Sequence, residues 1–132
     1  HDPGQRGNAQ LARIVASSVA SVNPEIMGLG PIPAITRVLE RAGMTIDDVD
    51  LVEINEAFAA QVIPSADELG IGYDKLNVNG GAIALGHPFG MTGARIMGTL
   101  LNGLEDADKT IGVESMCVGG GQGMAMIVER LR

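Results

Sequence analysis

The 132-residue chain contains very few aromatic residues: Phe, Tyr and Trp together make up 2% of it, and Trp is absent. Apolar residues nevertheless reach 45%, which is enough aliphatic material for the core of one domain. The scarcity of aromatic rings argues against base stacking as a mode of nucleic-acid binding.

Positive charge is also scarce. Nine Lys and Arg residues stand against 16 Asp and Glu, which gives a formal net charge of −7. Because an acidic domain repels phosphate backbones, we expect no nucleic-acid partner. An anionic ligand would have to bind through a local positive field or through backbone amides.

Cysteine occurs once, as Cys117. A lone thiol forms neither an intrachain disulfide nor a cysteine-based zinc site, and we expect no metal. The apolar runs are too short to span a bilayer and no segment has the pattern of a signal peptide, so we expect a cytoplasmic protein without membrane contact. Residues 1–10 are polar with Gly and Pro and are predicted to be a linker or a remnant of the expression sequence, leaving 11–132 as the domain.

Apolar periodicity and turn residues predict alternating strands and helices. Asn55 is expected to be an N-cap, with Glu56 in the first helical turn. The predicted elements are strands at 11–22, 49–54, 75–79, 109–118 and 123–132, helices at 33–43 and 56–70 and from Pro88 or Thr92 to 106, and a loop at 23–34. This order predicts an α/β fold with a mixed sheet, helices on its faces and two antiparallel closing strands.

Three polar residues follow predicted strands: Asn55, His87 and Cys117. Because strand ends gather at one edge of an α/β sheet, we expect the three to converge. Each alone has a structural reading, as an N-cap, a hydrogen-bonded loop histidine and a small buried thiol. Together, an amide, an imidazole and a thiol are the groups of a site that moves protons and stabilises an oxyanion.

The motifs that carry these residues resemble a known family. The stretches "NEAFA" (55–59), "NGGAIALGHPFGMTGAR" (79–95) and "CVGGGQG" (117–123), with "MGLGPIPA" (27–34) upstream, are similar to the C-terminal half of thiolases, the acetyl-CoA acetyltransferase family. The resemblance implies the thiolase-like mixed β-sheet flanked by helices. It also implies acyl transfer between acetyl-CoA and another acyl-CoA, with CoA thioesters as substrates, no separate cofactor, a place in fatty acid metabolism and a homo-oligomer.

The resemblance assigns roles to individual residues. It makes Cys117 the general acid and base, gives His87 a ring N–H directed at the thioester oxygen, and lets Asn55 hold a water beside that histidine. It assigns the backbone amide of Gly119 to a second oxyanion hole, where a missing Cβ allows close approach. It further implies that Met27 and Phe58 line the acyl pocket, whereas apolar side chains are more commonly ordinary core.

Other readings stay open at this point. In the family the nucleophilic cysteine lies in the N-terminal half, so we expect this chain alone to be inactive and to need that half as a partner. The alternatives are a non-catalytic folded partner, a CoA- or phosphate-binding module built on the Gly-rich stretch, and a Cys/His/Asn acyl hydrolase with Cys117 as nucleophile.

Overall fold

The structure, a computed structural model, describes residues 10–131 and contains one sheet of four strands in that range. The strand order is β1-β4-β3-β2, with β4 antiparallel to both of its neighbours and β2 parallel to β3. The elements are β1 (Ala12–Ser21), α1 (Pro31–Ala42), β2 (Leu51–Ile54), α2 (Ala59–Leu69), α3 (Ala82–Leu85), α4 (Thr92–Asp106), β3 (Ile111–Val118) and β4 (Gln122–Arg130), with short 3₁₀ helices at Pro24–Leu29 and Ile46–Asp48. The predicted mixed sheet with antiparallel closing strands is confirmed.

Helices cover both faces of this sheet. Since side chains alternate along a strand, Ala125 and Ile127 of β4 pack with the buried stripe of α1. Val128, on the opposite face, packs with Leu100 and Leu104 of α4. The aliphatic core expected from composition is therefore divided into two layers, one on each side of the sheet.

Helix α1 begins two residues before the predicted start, at Pro31. Its last residue is Ala42, and Gly43 is the C-cap that stops it, as predicted. A helix tolerates proline in its first turn because the N–H groups there have no intrahelical acceptor. Pro31 and Pro33 therefore begin the helix, whereas the sequence had been interpreted as a loop up to residue 34. Part of that expected loop is also the 3₁₀ helix Pro24–Leu29.

Two expectations around β2 are wrong. Asn55 is not a helix N-cap: α2 begins at Ala59, and the Asn55 N–H instead donates to the Ser115 carbonyl at 2.9 Å, prolonging the pairing with β3. The strand predicted at 75–79 shrinks to one bridge between Leu76 and Val52. Asn77 turns the backbone away with a φ of 48°, and its side-chain amide takes over the pairing with the Ile54 N–H and C=O, at 2.9 Å each.

Helix α2 contains Pro64, as expected, and the short helix α3 was not predicted. Between residues 10 and 131 no helix combines the length and the apolar character needed to cross a bilayer. The predicted linker at 1–10 lies almost wholly outside the described residues.

Candidate active site

One cleft of about 640 Å³ brings together side chains from four segments of the chain. Five of the six predicted site residues line it: Met27, Phe58, His87, Cys117 and Gly119. Asn55 is fully buried and does not line the cleft, although its neighbours Ala57 and Phe58 do.

The sheet topology explains part of this convergence. Strands β2 and β3 are parallel, with Ile54 opposite Ser115, so Asn55 and Cys117 lie at the same edge of the sheet. His87 is positioned differently. It lies in the segment between α3 and α4, so the element directly before it is a helix and not a strand. Asn55 and Cys117 therefore lie at strand ends as expected, whereas His87 does not.

His87 is exposed, and its ring is held from one side. Its Nδ1 lies 2.5 Å from the Thr92 hydroxyl oxygen, which is also 3.2 Å from the Pro88 carbonyl oxygen. Thr92 is buried at the start of α4, so a rigid element fixes one ring nitrogen. The other nitrogen, Nε2, stays available for a ligand.

Cys117 is half-buried near the end of β3. Burial raises the pKa of its thiol above the ordinary value, and the hydrogen bond of its own backbone only partly offsets this. The resting group in this chain is therefore the thiol.

The glycines after Cys117 have different reasons to be glycine. A Cβ on Gly123 would lie 1.9 Å from the Gly30 carbonyl oxygen, because the start of α1 packs directly on the backbone of β4. Around Gly119, by contrast, a Cβ would meet no atom within 4 Å. The described packing thus requires glycine at 123 and leaves a free approach to the backbone at 119, inside the cleft.

A buried ion pair that sequence reasoning missed lies beneath the cleft. Arg95 of α4 donates to the Glu53 carboxylate at 2.8 Å, and only 8% and 3% of the two side chains are exposed. The same guanidinium donates to Asn55 Oδ1 at 3.2 Å. The available signal was Glu53 itself, since a charged residue in an otherwise apolar, buried strand needs a partner.

Two carboxyl groups on this side of the sheet have perturbed proton affinities. Burial raises the pKa of Glu53 to about 7, outweighing the opposing effect of Arg95. Burial, reinforced by the charge of Glu53, also raises the pKa of Glu114 to about 7. Glu114 and Glu53 are register partners on β3 and β2, which explains why the charge of Glu53 disfavours that of Glu114. The like charge that raises the pKa of Glu53 is that of Glu56.

Glu56 connects the segment after β2 to two later segments of the chain. Its carboxylate accepts hydrogen bonds from the Ile83 N–H at 3.0 Å and from the Asn77 amide at 3.1 Å. A Cβ on Gly81 would lie 2.2 Å from the Glu56 carboxyl carbon, so glycine there permits the contact. The Glu56 carboxylate thus orders polar neighbours, and the expected place of Glu56 in the first helical turn is wrong because α2 begins at Ala59.

No metal-binding group is present among residues 10–131: no three His, Cys, Asp or Glu side chains are arranged to hold an ion. The residues that line the cleft include a thiol and an imidazole, from Cys117 and His87, and the backbone of Gly119.

Comparisons with known proteins agree with the motifs. The family model for the thiolase C-terminal domain matches residues 8–130. The chain is 52% identical over 125 residues to the acetyl-CoA acetyltransferase of Escherichia coli K12, covering 95% of this chain and 32% of that protein. It is 56% identical over 120 residues to the cytosolic acetyl-CoA acetyltransferase of mouse, covering 91% of this chain and 30% of that protein.

Solved structures agree as well. A crystal structure of Bacillus anthracis acetyl-CoA acetyltransferase matches with a TM-score of 0.91 and 50% identity over 93% of this chain and 31% of that one. A crystal structure of human mitochondrial 3-ketoacyl-CoA thiolase in complex with CoA matches with a TM-score of 0.91 and 48% identity. The match covers 94% of this chain and 32% of that one. The chain therefore spans about a third of the length of these relatives. With the family model matching nearly all of it, the chain belongs to the thiolase family and corresponds to the C-terminal domain.

Proposed function

We propose that this chain is the C-terminal catalytic part of an acyltransferase that forms or cleaves a carbon–carbon bond between acyl groups carried on coenzyme A. The observation that carries the proposal is the cleft in which Cys117, His87 and Gly119 meet. The names of the relatives, acetyl-CoA acetyltransferase and 3-ketoacyl-CoA thiolase, support this reaction class. The CoA complex of the human relative supports a CoA thioester as ligand.

In the condensation direction, the thiolate of Cys117 removes a proton from the methyl carbon of acetyl-CoA. The resulting enolate attacks the acyl carbon of an acylated cysteine outside this chain. A carbon–carbon bond forms, the carbon–sulfur bond to that cysteine breaks, and its thiolate leaves while Cys117 keeps the proton. In thiolysis the thiol of Cys117 protonates the departing carbanion, and the raised pKa favours this acid form.

The enolate oxygen needs fixed donors, because its charge develops only during the reaction. We propose that His87 Nε2–H and a water held by Asn55 supply them at one thioester oxygen, and the N–H of Gly119 at the other. Open space around Gly119 supports a ligand approaching its backbone. Met27 and Phe58 would enclose the acyl group.

A cytoplasmic location and assembly into an oligomer belong to the same proposal, and the cytosolic mouse relative supports the former.

A hybrid enzyme tests the proposal. Residues 11–131 would replace the matching segment of the E. coli acetyl-CoA acetyltransferase, and cleavage of acetoacetyl-CoA by CoA would be followed. We expect turnover by the hybrid and none by the 132-residue chain alone, which offers a single cysteine. A folded hybrid that is acylated but never transfers the acyl group would overturn the proposed role of this domain, and turnover by the isolated chain would overturn its dependence on a second part.

A further inference from the structure

We infer that the first turn of helix α4 is the element that positions both oxyanion donors, through Thr92 for His87 and through Arg95 for Asn55. The inference rests on the proposed function and adds two positioning residues to it. Thr92 and Arg95 are three residues apart and therefore project from the same side of α4.

Thr92 controls which nitrogen carries the hydrogen when the His87 ring has only one. Its hydroxyl has a single hydrogen and two acceptors in reach, His87 Nδ1 at 2.5 Å and the Pro88 carbonyl at 3.2 Å. If the hydroxyl donates to Nδ1, the ring hydrogen must sit on Nε2, where it can donate to a ligand oxygen. If it donates to Pro88, the ring hydrogen sits on Nδ1 and Nε2 is a bare acceptor. The donation from Nε2 proposed above requires the first arrangement, in which the Pro88 carbonyl keeps the Met91 N–H as its donor at 3.3 Å.

Arg95 controls which way the Asn55 amide faces. Its guanidinium donates to Asn55 Oδ1, so that oxygen is occupied. Asn55 Nδ2 is buried and has no hydrogen-bond partner among the described residues. A buried amide donor without a partner is costly, so this arrangement leaves a donor that a bound water or ligand oxygen would satisfy.

Glu53 holds Arg95 in this orientation. The ion pair joins α4 to β2 at 2.8 Å in a largely buried place, and a guanidinium forks naturally between a carboxylate and an amide oxygen. Because the same helical turn also carries Thr92, a displacement of α4 would disturb both donors together. The donors thus share one rigid support although His87 and Asn55 lie 32 residues apart in the chain.

The tautomer of His87 can be read in the 132-residue chain by ¹⁵N NMR of the imidazole. We expect the proton on Nε2, a mixture of tautomers in Thr92→Val, and recovery of Nε2–H in Thr92→Ser. Thr99→Val is the matched control, since the Thr99 hydroxyl donates to the Arg95 carbonyl at 3.0 Å and not to a histidine. A proton on Nδ1 in the unsubstituted chain, or an unchanged tautomer in Thr92→Val, would overturn the role of Thr92.

The role of Arg95 is tested in the active hybrid enzyme with Arg95→Lys. This substitution keeps the positive charge beside Glu53 but removes the planar guanidinium that donates to both Glu53 and Asn55. We expect kcat to fall about 10- to 100-fold with KM nearly unchanged, because the displaced donor serves the transition state. Arg130→Lys is the matched control, since Arg130 pairs with Asp108 at the opposite end of β4. A kcat equal to that of the control, or a rise in KM at constant kcat, would overturn the role of Arg95.

The proposed function and the positioning roles of Thr92 and Arg95 are tested by different outcomes. An inactive but folded hybrid counts against the proposed function, and the NMR of the chain then still decides the Thr92 assignment. The NMR signals of the Asn55 side-chain amide test the positioning role of Arg95 in the same way. Arg95→Lys should shift these signals and Arg130→Lys should not. The same Asn55 signals in both variants would overturn the role of Arg95. An active hybrid in which Thr92→Val and Arg95→Lys behave as their controls counts against the positioning role alone.

Discussion

Cys117, Gly119 and Gly123 lie within seven residues of one another, yet the fold constrains each of them differently. Gly123 is required by the close approach of Gly30. Gly119 is not required by any described atom, and Cys117 is held as a thiol by burial. A single Gly-rich motif thus combines a position where the packing requires glycine with a position where it does not.

The substitution Gly123→Ala tests this difference. Its Cβ would overlap the Gly30 carbonyl, so we expect a loss of stability of about 1–3 kcal/mol or more in chemical denaturation. Gly119→Ala is the matched control and should leave the free energy of unfolding within about 0.5 kcal/mol of the original. Equal stability of the two variants would contradict the packing described here.

The raised carboxyl pKa values predict an unusual dependence of stability on pH. The pKa values of Glu53 and Glu114 are about 7 when folded, against the ordinary value of 4.5, so the Glu53–Arg95 ion pair is fully formed only above that pH. Between these values the folded chain binds more protons than the unfolded chain, so stability falls as the pH rises and levels off above about pH 7. Each carboxyl contributes at most ~1.4 kcal/mol per pH unit.

Urea unfolding between about pH 5 and 8 measures this slope. Glu114→Gln should reduce it, whereas the exposed control Glu105→Gln should leave it unchanged. A stability that rises with pH through this window, or an identical slope in Glu114→Gln, would contradict the assignment of the buried carboxyl.

The sequence motifs predicted that Cys117 and His87 lie in one site, and both residues line the same cleft. The Arg95–Glu53 pair escaped notice because its members are 42 residues apart and meet only when α4 packs on β2. Sequence shows that Glu53 needs a partner but not which of several arginines the fold supplies.

At the scale of elements, the apolar periodicity of the sequence predicted which faces of the helices pack into the core. The stripes Ile35, Val38 and Leu39 of α1 and Ile96, Leu100 and Leu104 of α4 are buried as expected. The errors arose where side chains replace backbone pairing. Asn77 occupies the place of a strand beside Ile54, and Asn55 continues β2 instead of starting α2.

The Glu56 contact makes a prediction about the segment that carries His87. Gly81→Ala would displace the Glu56 carboxylate and release the Ile83 N–H. We expect faster amide hydrogen exchange through residues 80–91, measured by mass spectrometry. Gly98→Ala, whose Cβ meets nothing within 4 Å, is the control, and similar exchange in both variants would contradict a role for this contact.

At the scale of the whole molecule, large apolar side chains remain exposed around the cleft. Phe89 is fully exposed and Phe58 is 73% exposed, with Ile83, Leu85 and Met91 nearby in sequence. Such a concentration is typical of a surface that another domain or chain covers. It fits a domain that spans about a third of its relatives' length.

The isolated chain should therefore self-associate. We expect its light-scattering mass to rise with concentration, and Phe89→Ser to reduce that rise by exposing less apolar surface. Tyr73→Ser is a control at an exposed ring outside the residues that line the cleft. The mass of one chain at every concentration would contradict the expectation.

The central claim is that Cys117 transfers the proton while another cysteine carries the acyl group. Rapid-quench measurement of the active hybrid with radiolabelled acetyl-CoA separates these steps for Cys117→Ala. The account predicts that acylation largely survives and that carbon–carbon bond formation falls about 10²- to 10⁴-fold, the range typical of a lost general acid and base. Equal loss of both steps would contradict the claim.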